Sequence, residues 1–463
     1  MKLKNIKNVF LTAAIGALLA SCGKEFVSID PKGQFLSSNF YANEEQAFGG
    51  LVGAYDVLRK NAGGFDNMIT FMNAGSDDHY AGGGGATDGA GIQGFSNYTL
   101  NENIMPGSFW NDHYQGVFRA NLLLLRLPDV PMDPLKKTRF TAEAKALRAI
   151  YYFNLVRMFG NIPLLTEPLT AGNMYNVEQA TPEAVYAQIE QDLKDAIPDL
   201  PASVILATEG GRLTKGAAQA MLGKVLLYMG KNSEAAAQLA EVNGTPGQTS
   251  QYGYKLLDDF ADLWVFTNKF NSEGILECNH SNQSFADWGF WGSGADEGNS
   301  VNQMVGPRSY SRISAPAPDI PSGWSFNVFT DAFYDLIKND PRFEATVLDM
   351  KTLKADGHAD YIDGYQNTGY FLNKFIPRMS DVRTGGGALE LNFQQNSYII
   401  RLADTYLLEA EALGGTGARA QALLDAVRAR AGLASVPVSL AAIKAERRLE
   451  LAGEGHRFFD LVR

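Results

Sequence analysis

Apolar residues step by three and four positions through much of the chain, the spacing of one helix face. In residues 44–59 the step is carried by Phe48, Leu51, Val52, Tyr55 and Leu58, which predicts an amphipathic helix. Residues 109–127 repeat it with Tyr114, Val117, Phe118, Leu122 and Leu125. A third helix is expected from a Thr141 cap to Gly160, with Leu147, Ile150, Tyr151, Leu155, Met158 and Phe159 on it and Pro163 beyond its end. Thr181-Pro182-Glu183 is a strong helix start: a capping hydroxyl, a proline in the first turn, and an acid at the positive end of the dipole. Val185, Ile189, Leu193 and Ile197 follow at steps of four. Thr214 opens a helix over 215–229, and 233–242 pairs with it across Gly230. A last pair is predicted at 398–414 and 417–431, broken at Gly414 and Gly415.

Two long stretches escape this pattern. Residues 61–103 are rich in glycine, above all at 81–94, and are expected to form a loop without helices, because glycine runs neither nucleate helices nor pack strands. After Cys278, which sits in a short strand-like apolar run, tryptophans lie among Gly, Ser, Asn and Pro with neither helical nor strand period. The helix pairs, with small-residue faces such as Ala217-Ala218 and 235–237, resemble tetratricopeptide hairpins, although no strict 34-residue period is present. The expected fold is therefore mainly α, a tetratricopeptide-like scaffold of helical hairpins. Long, partly β loop insertions on it would carry ligand binding.

The first residues change the picture of where the protein works. Lys2, Lys4 and Lys7 precede an apolar run at 9–20, too short to span a bilayer but suited to a signal peptide. It ends Leu19-Ala20-Ser21-Cys22, which resembles a bacterial lipobox, so residues 1–21 are expected to be a leader and Cys22 a lipid anchor. Residues 23–40 read as a tether. Cys22 and Cys278 are the only cysteines, so lipidation of the first excludes an intramolecular disulfide. A net charge of −11 without basic runs argues against nucleic acid as a partner.

At the other end, residues 443–463 interleave Arg447, Glu450, Glu454 and Arg457 with Leu449, Leu451, Phe458, Phe459 and Leu461. The spacing puts alternating charges on one side of a helix that Gly453 and Gly455 bend or end. A structural ion-pair helix over a core is preferred to a catalytic carboxylate pair. Glu446-Arg447-Arg448, Glu450-Leu451, Glu454-Gly455, Arg457 and Asp460-Leu461 resemble the C-terminal signature of the SusD/RagB family. Further likenesses run in the same order through the chain. They are Phe109-Trp110 with Ala120-Asn121, 147–153 with 159–164, 215–218, Asp340-Pro341-Arg342, 407–412 and 427–433.

The resemblance implies an outer-membrane, surface-exposed lipoprotein that binds an oligosaccharide or peptide without a cofactor. It also implies delivery of that ligand to a SusC-like TonB-dependent transporter. It further implies an N-terminal region at 22–245 and a C-terminal region at 246–463 packed as one body. Members usually continue past the signature with a tryptophan and a further segment, so a chain stopping at Arg463 is expected to lack a final packing element.

Candidate chemistry is sparse. The histidines His79, His113, His280, His358 and His456 are dispersed, and no zinc, nucleophile-elbow or phosphate-loop motif exists. With 51 acidic residues a hydrolytic carboxylate pair has room to exist, so a surface glycoside hydrolase stands as one alternative and a protein-binding tetratricopeptide adaptor as another. The binding candidates are Trp288, Trp291 and Trp324, near Phe285, Phe290 and Tyr310. Flat indole faces stack on sugar rings; the competing reading is that these rings close the loop onto the body. Asp77, Asp78 and Tyr80 form a second candidate, the acids accepting sugar hydroxyls and the ring stacking. Calcium at Asp77, Asp78 and Asp88 is a weaker reading because the spacing is not that of an EF-hand.

Overall fold

The Pro182–Ala196 and Lys215–Tyr228 helices begin where the sequence places them. The Thr181 hydroxyl accepts from Ala184 N at 3.4 Å and the Thr214 hydroxyl from Ala217 N at 3.2 Å. The computed structural model describes residues 40–292 and 296–463; the expected leader, Cys22 and most of the tether lie outside these residues.

The scaffold is a run of helices, each packed on the next. Glu44–Asp56 lies on Gly107–Arg126, which lies on Pro134–Phe159, then Pro182–Ala196, Lys215–Tyr228, Asn232–Asn243 and Leu402–Ala412. Leu402–Ala412 in turn packs against both Gly417–Arg430 and Leu440–Glu450. Small residues allow the close approach: a side chain on Gly223 would meet Leu239 at 2.5 Å, and one on Gly116 would meet the Tyr151 ring at 2.5 Å.

Four expectations are corrected here. Thr141 does not cap the third helix. Asp133 does, accepting from Lys136 N at 2.9 Å ahead of Pro134, and Thr141 lies mid-helix with its hydroxyl bonded back to Lys137 O. The first helix turns Ala47, Leu51 and Ala54 inward and leaves Phe48 and Val52 exposed, because its neighbour is approached along the small-residue side. Residues 61–103 are not helix-free. Asn67 caps a wholly buried Met68–Ala74 helix, and Ala90–Ser96 follows Gly89, with Gly91 and Gly94 admitting Pro106 and Ile104. The predicted 398–414 helix starts only at Leu402, because Ser397–Arg401 is a strand paired antiparallel with Gly274–Cys278.

The two irregular stretches form one body. Phe71, Ile92, Phe95 and Phe109 share a core with Met304, Phe326, Phe329, Phe333 and Phe371. Backbone hydrogen bonds tie them in a short ladder: Thr330 N to Asp78 O, Tyr80 N to Val328 O, Asn327 N to Ala81 O and Gly83 N to Ser325 O, all at 2.8–2.9 Å. A Cβ on Gly82 would stand 2.2 Å from Ser325 O, so this contact needs a glycine, which is also in the left-handed region at φ +67°.

The C-terminal segment breaks where expected, between Leu440–Glu450 and Arg457–Val462, with Gly453 and Gly455 at φ +77° and +80°. Apart from Asp460 with Arg463, its charges do not pair along their own helix as the spacing suggested. They reach across the fold. All five Arg401 N–H donors are taken, by Glu273, by both Glu454 oxygens, and by the carboxylate and backbone carbonyl of Glu450. Glu450 also accepts from Arg342 and Arg430, and Glu446 from Arg342 and Arg428. Burial alone would raise the Glu450 carboxyl, but the guanidinium groups of Arg430, Arg401 and Arg342 hold it well below the usual carboxylate range. Every acid in the cluster is matched by cations, which makes it a clasp and not an acid–base pair.

Candidate functional site

Trp288, Trp291 and Trp324 meet. Trp288 and Trp324 have ring centroids 5.8 Å apart and planes only 26° from parallel. Trp291 stands edge-on to both, 5.7 Å from Trp288 at 84° and 5.4 Å from Trp324 at 79°. Trp288 is 52% exposed, whereas Trp291 and Trp324 are half-buried. The two readings of these rings are therefore divided among them: Trp291 closes the loop onto the body and Trp288 faces solvent.

Each ring is positioned by chain contacts. Trp291 donates its indole N–H to Ser300 Oγ at 3.1 Å, and the same oxygen accepts from Gly64 N at 2.8 Å. Its ring meets the Phe65 ring at 5.8 Å and 84°; Phe65 meets Phe71 and Phe326 in the same edge-to-face manner. A chain of aromatic contacts thus runs from the core to the exposed rings. Trp324 is seated by its backbone, Trp324 N to Gln303 O at 3.0 Å and Ser325 N to Gly306 O at 2.8 Å. Gly306 and Gly323 are in bare backbone contact there, and a Cβ on Gly323 would be 2.4 Å from Gly306 Cα. The loop carrying Trp288 and Trp291 is pinned by Asp296, which accepts from Gly292 N at 2.9 Å and Gly298 N at 3.1 Å.

A polar pair is tied to the residue after Trp324. Arg308 N donates to Ser325 Oγ at 3.0 Å, and its guanidinium Nη2 stands 3.5 Å from Asp88 Oδ2. Phe285, at φ +57° and 55% exposed, carries the Arg383 guanidinium 3.7 Å from its centroid. Tyr310 packs on the core and donates its hydroxyl to Pro318 O.

The acidic candidates are engaged elsewhere. Asp77 meets Arg457 with both oxygens, at 2.7 and 2.8 Å, and that hydrogen bonding lowers its pKa. Asp78 is buried, accepts from Arg448 Nε at 2.8 Å, and has its pKa raised by burial. Both acids tie the ladder to the C-terminal segment, which leaves them poorly placed to accept sugar hydroxyls. Tyr80 is exposed on the same ladder, and among the described residues no ring contact joins it to the tryptophans. Asp88 accepts from Gly84 N at 2.7 Å, so it does not converge with Asp77 and Asp78 on a cation. Among the described residues no cluster of His, Cys, Asp and Glu is arranged to hold a metal.

Phe65, Ser300 and Arg383 escape the reading of the sequence. Phe65 and Ser300 act through distant partners and leave no local signal. Arg383 carries one, a lone cation ahead of three glycines.

A family model described as "SusD family" matches residues 328–463, and one described as "Starch-binding associating with outer membrane" matches residues 78–227. A solved "Laminarin binding SusD-like protein" is 65% identical, with a TM-score of 0.90 and 91% of each chain covered. "Surface glycan-binding protein A" from Bacteroides thetaiotaomicron, in complex with laminarihexaose, is 26% identical with a TM-score of 0.79, covering 91% of this chain and 90% of that one. "SusD-like protein P25" of Formosa agariphila is 26% identical over 99% of this chain and 90% of its own length.

Proposed function

The chain belongs to the SusD family, and from that premise we propose that it is a surface glycan-binding protein that captures an oligosaccharide without cleaving it. The observation that carries this reading is the near-parallel pair Trp288 and Trp324, backed by Trp291 and open to solvent at Trp288. Two parallel indoles 5.8 Å apart offer a stacking surface for the apolar faces of sugar rings. Arg308, bonded to Ser325 beside Trp324 in the chain, and its partner Asp88 would supply donors and acceptors for hydroxyls. The names of the laminarin-binding and laminarihexaose-bound relatives support a glucan of the laminarin type as the ligand.

Capture of this kind suits delivery. Stacking and hydrogen bonds at an open surface release their ligand readily, so a SusC-like TonB-dependent transporter can take it over. The protein would be held at the outer membrane by acyl chains on Cys22.

Affinity electrophoresis in gels containing laminarin, with product analysis of the same mixtures, tests the reading. The native protein is retarded and leaves the glycan at its original length, and Trp288→Ala runs as in a glycan-free gel. Shortened products would replace this reading with a surface glycoside hydrolase. No retardation of the native protein would favour the protein-binding adaptor, and retardation unchanged in Trp288→Ala would move the glycan site off the tryptophans.

A further inference from the structure

Arg383 differs from every other arginine stacked on an aromatic ring among the described residues. Arg157, Arg212, Arg401, Arg430 and Arg463 each lie over a ring and also give N–H donors to carboxylate, amide or backbone oxygens. Arg383 lies 3.7 Å from the Phe285 centroid, and its buried Nη1 has no hydrogen-bond partner. A buried donor left unmade is costly, and surface arginines ordinarily turn toward a carboxylate or water.

The geometry says which edge is open. Of the Arg383 nitrogens only Nη1 is both buried and unpartnered, so the Nε–Nη2 edge keeps its N–H donors accessible and free of a partner among the described residues. The bare backbone of Gly385 lies against that edge, where a Cβ would stand 3.7 Å from Nη2 and 4.0 Å from Nε. The shelf beneath is rigid. Ala286, next to Phe285, is held through its N–H and carbonyl by the buried Asn392 side chain, at 3.2 and 3.0 Å, and its carbonyl also accepts from Ala388 N at 3.0 Å. Trp288 follows three residues after Phe285.

We propose that Arg383, laid on Phe285 three residues before Trp288, is a ligand-binding residue whose Nε–Nη2 edge grips a vicinal pair of hydroxyls on a sugar unit beyond those stacked on the indoles. The proposal rests on the glycan-binding reading above. Two parallel donors match two adjacent oxygens, as they match a carboxylate, and stacking on Phe285 pre-organises the side chain so that little freedom is lost on binding. The subsite extends the platform and sets a preference for longer chains.

Titration calorimetry of the full chain with laminarihexaose and laminaritriose tests this in native protein and in Arg383→Gln, Arg383→Lys, Phe285→Ala and Trp288→Ala. Arg383→Gln is expected to weaken hexaose binding by about three- to tenfold, the range for one or two lost hydrogen bonds, and to leave the triose unchanged. Lysine, lacking the fork, does not restore it, and Phe285→Ala gives the same length-selective loss by removing the shelf. Trp288→Ala weakens both ligands. Native hexaose affinity in Arg383→Gln, or equal losses for both lengths, overturns the subsite while Trp288→Ala still loses binding. Native binding in Trp288→Ala instead overturns the platform itself. A steep loss of hexaose affinity in salt would show that Arg383 acts as a charge and contradict hydroxyl recognition.

Discussion

Arg401 Nη1 and Glu450 Oε1 lie 2.6 Å apart with both side chains wholly buried. The pair is the centre of the clasp that joins Glu273, Ser397–Arg401, Gly417–Arg430 and Leu440–Glu450. Removing one partner of such a pair leaves a buried charge uncompensated, which costs about 3–5 kcal/mol. Arg401→Met and Glu450→Gln are each expected to lower stability by that amount in urea unfolding. A change below about 0.5 kcal/mol in either would contradict the clasp, since that is the size of an ordinary surface substitution.

Acid should unfold the protein in two stages. Burial pulls His79 to about 3, His113 to about 4 and His280 to about 4. Each is neutral in the folded protein where the unfolded chain, with a pKa near 6.5, already binds a proton. The unfolded state therefore holds more protons between about pH 6.5 and 4, and stability falls as pH falls through that window. Glu450 and Asp404, held well below the usual carboxylate range, add their loss only below about pH 4. Urea midpoints at fixed temperature should decline from pH 7 to 5 and then drop more steeply. A midpoint unchanged between pH 7 and 5 contradicts the buried neutral histidines.

The glycine run divides into positions that matter and positions that do not. Gly82 is at φ +67° against Ser325 O, whereas a Cβ on Gly85 would meet nothing within 4 Å. Gly82→Ala is expected to displace Ser325, the residue after Trp324, weakening glycan binding and shifting the tryptophan emission. Gly85→Ala should match the native protein in both. Equal behaviour of the two variants would count against the ladder.

Asp77 offers a negative control. Because Arg457 holds both of its oxygens, Asp77→Ala should leave glycan retention within twofold of native. Its cost should be at most about 1 kcal/mol of stability, the range for a partly exposed ion pair. A tenfold loss of glycan affinity would return Asp77 to the site.

Much of the fold is legible in the chain, and for definite reasons. Helix starts with a capping hydroxyl at the right spacing, Thr181 and Thr214, are readable because the cap is local. Thr141 misleads because an equally local signal, Asp133-Pro134, stands about two turns earlier and takes the start. The 397–401 strand looks helical in sequence because its partner, Gly274–Cys278, is more than a hundred residues away. The charges of residues 443–463 are recognisable as a clasp, but their partners Arg342, Lys374, Arg401 and Arg430 lie on other elements and have no signature at helical spacing. In the site, aromatic residues in an aperiodic segment are a usable signal for the tryptophans. Two acids beside an aromatic residue are not a signal for a ligand, because their arginine partners lie far along the chain, Arg448 370 residues beyond Asp78.

The most direct test of capture by the tryptophan platform is calorimetric titration of laminarihexaose into the native protein and into Trp288→Ala/Trp324→Ala, with thermal melts alongside. Each indole face withdraws roughly 50–100 Å² of apolar surface from water on stacking, worth about 1–2.5 kcal/mol at ~25 cal/mol/Å². The double variant should therefore bind at least about thirtyfold more weakly, keep its melting temperature within a few degrees, and the native mixture should contain only intact hexasaccharide. Native affinity in the double variant, or hexasaccharide shortened by the native protein, would contradict the account.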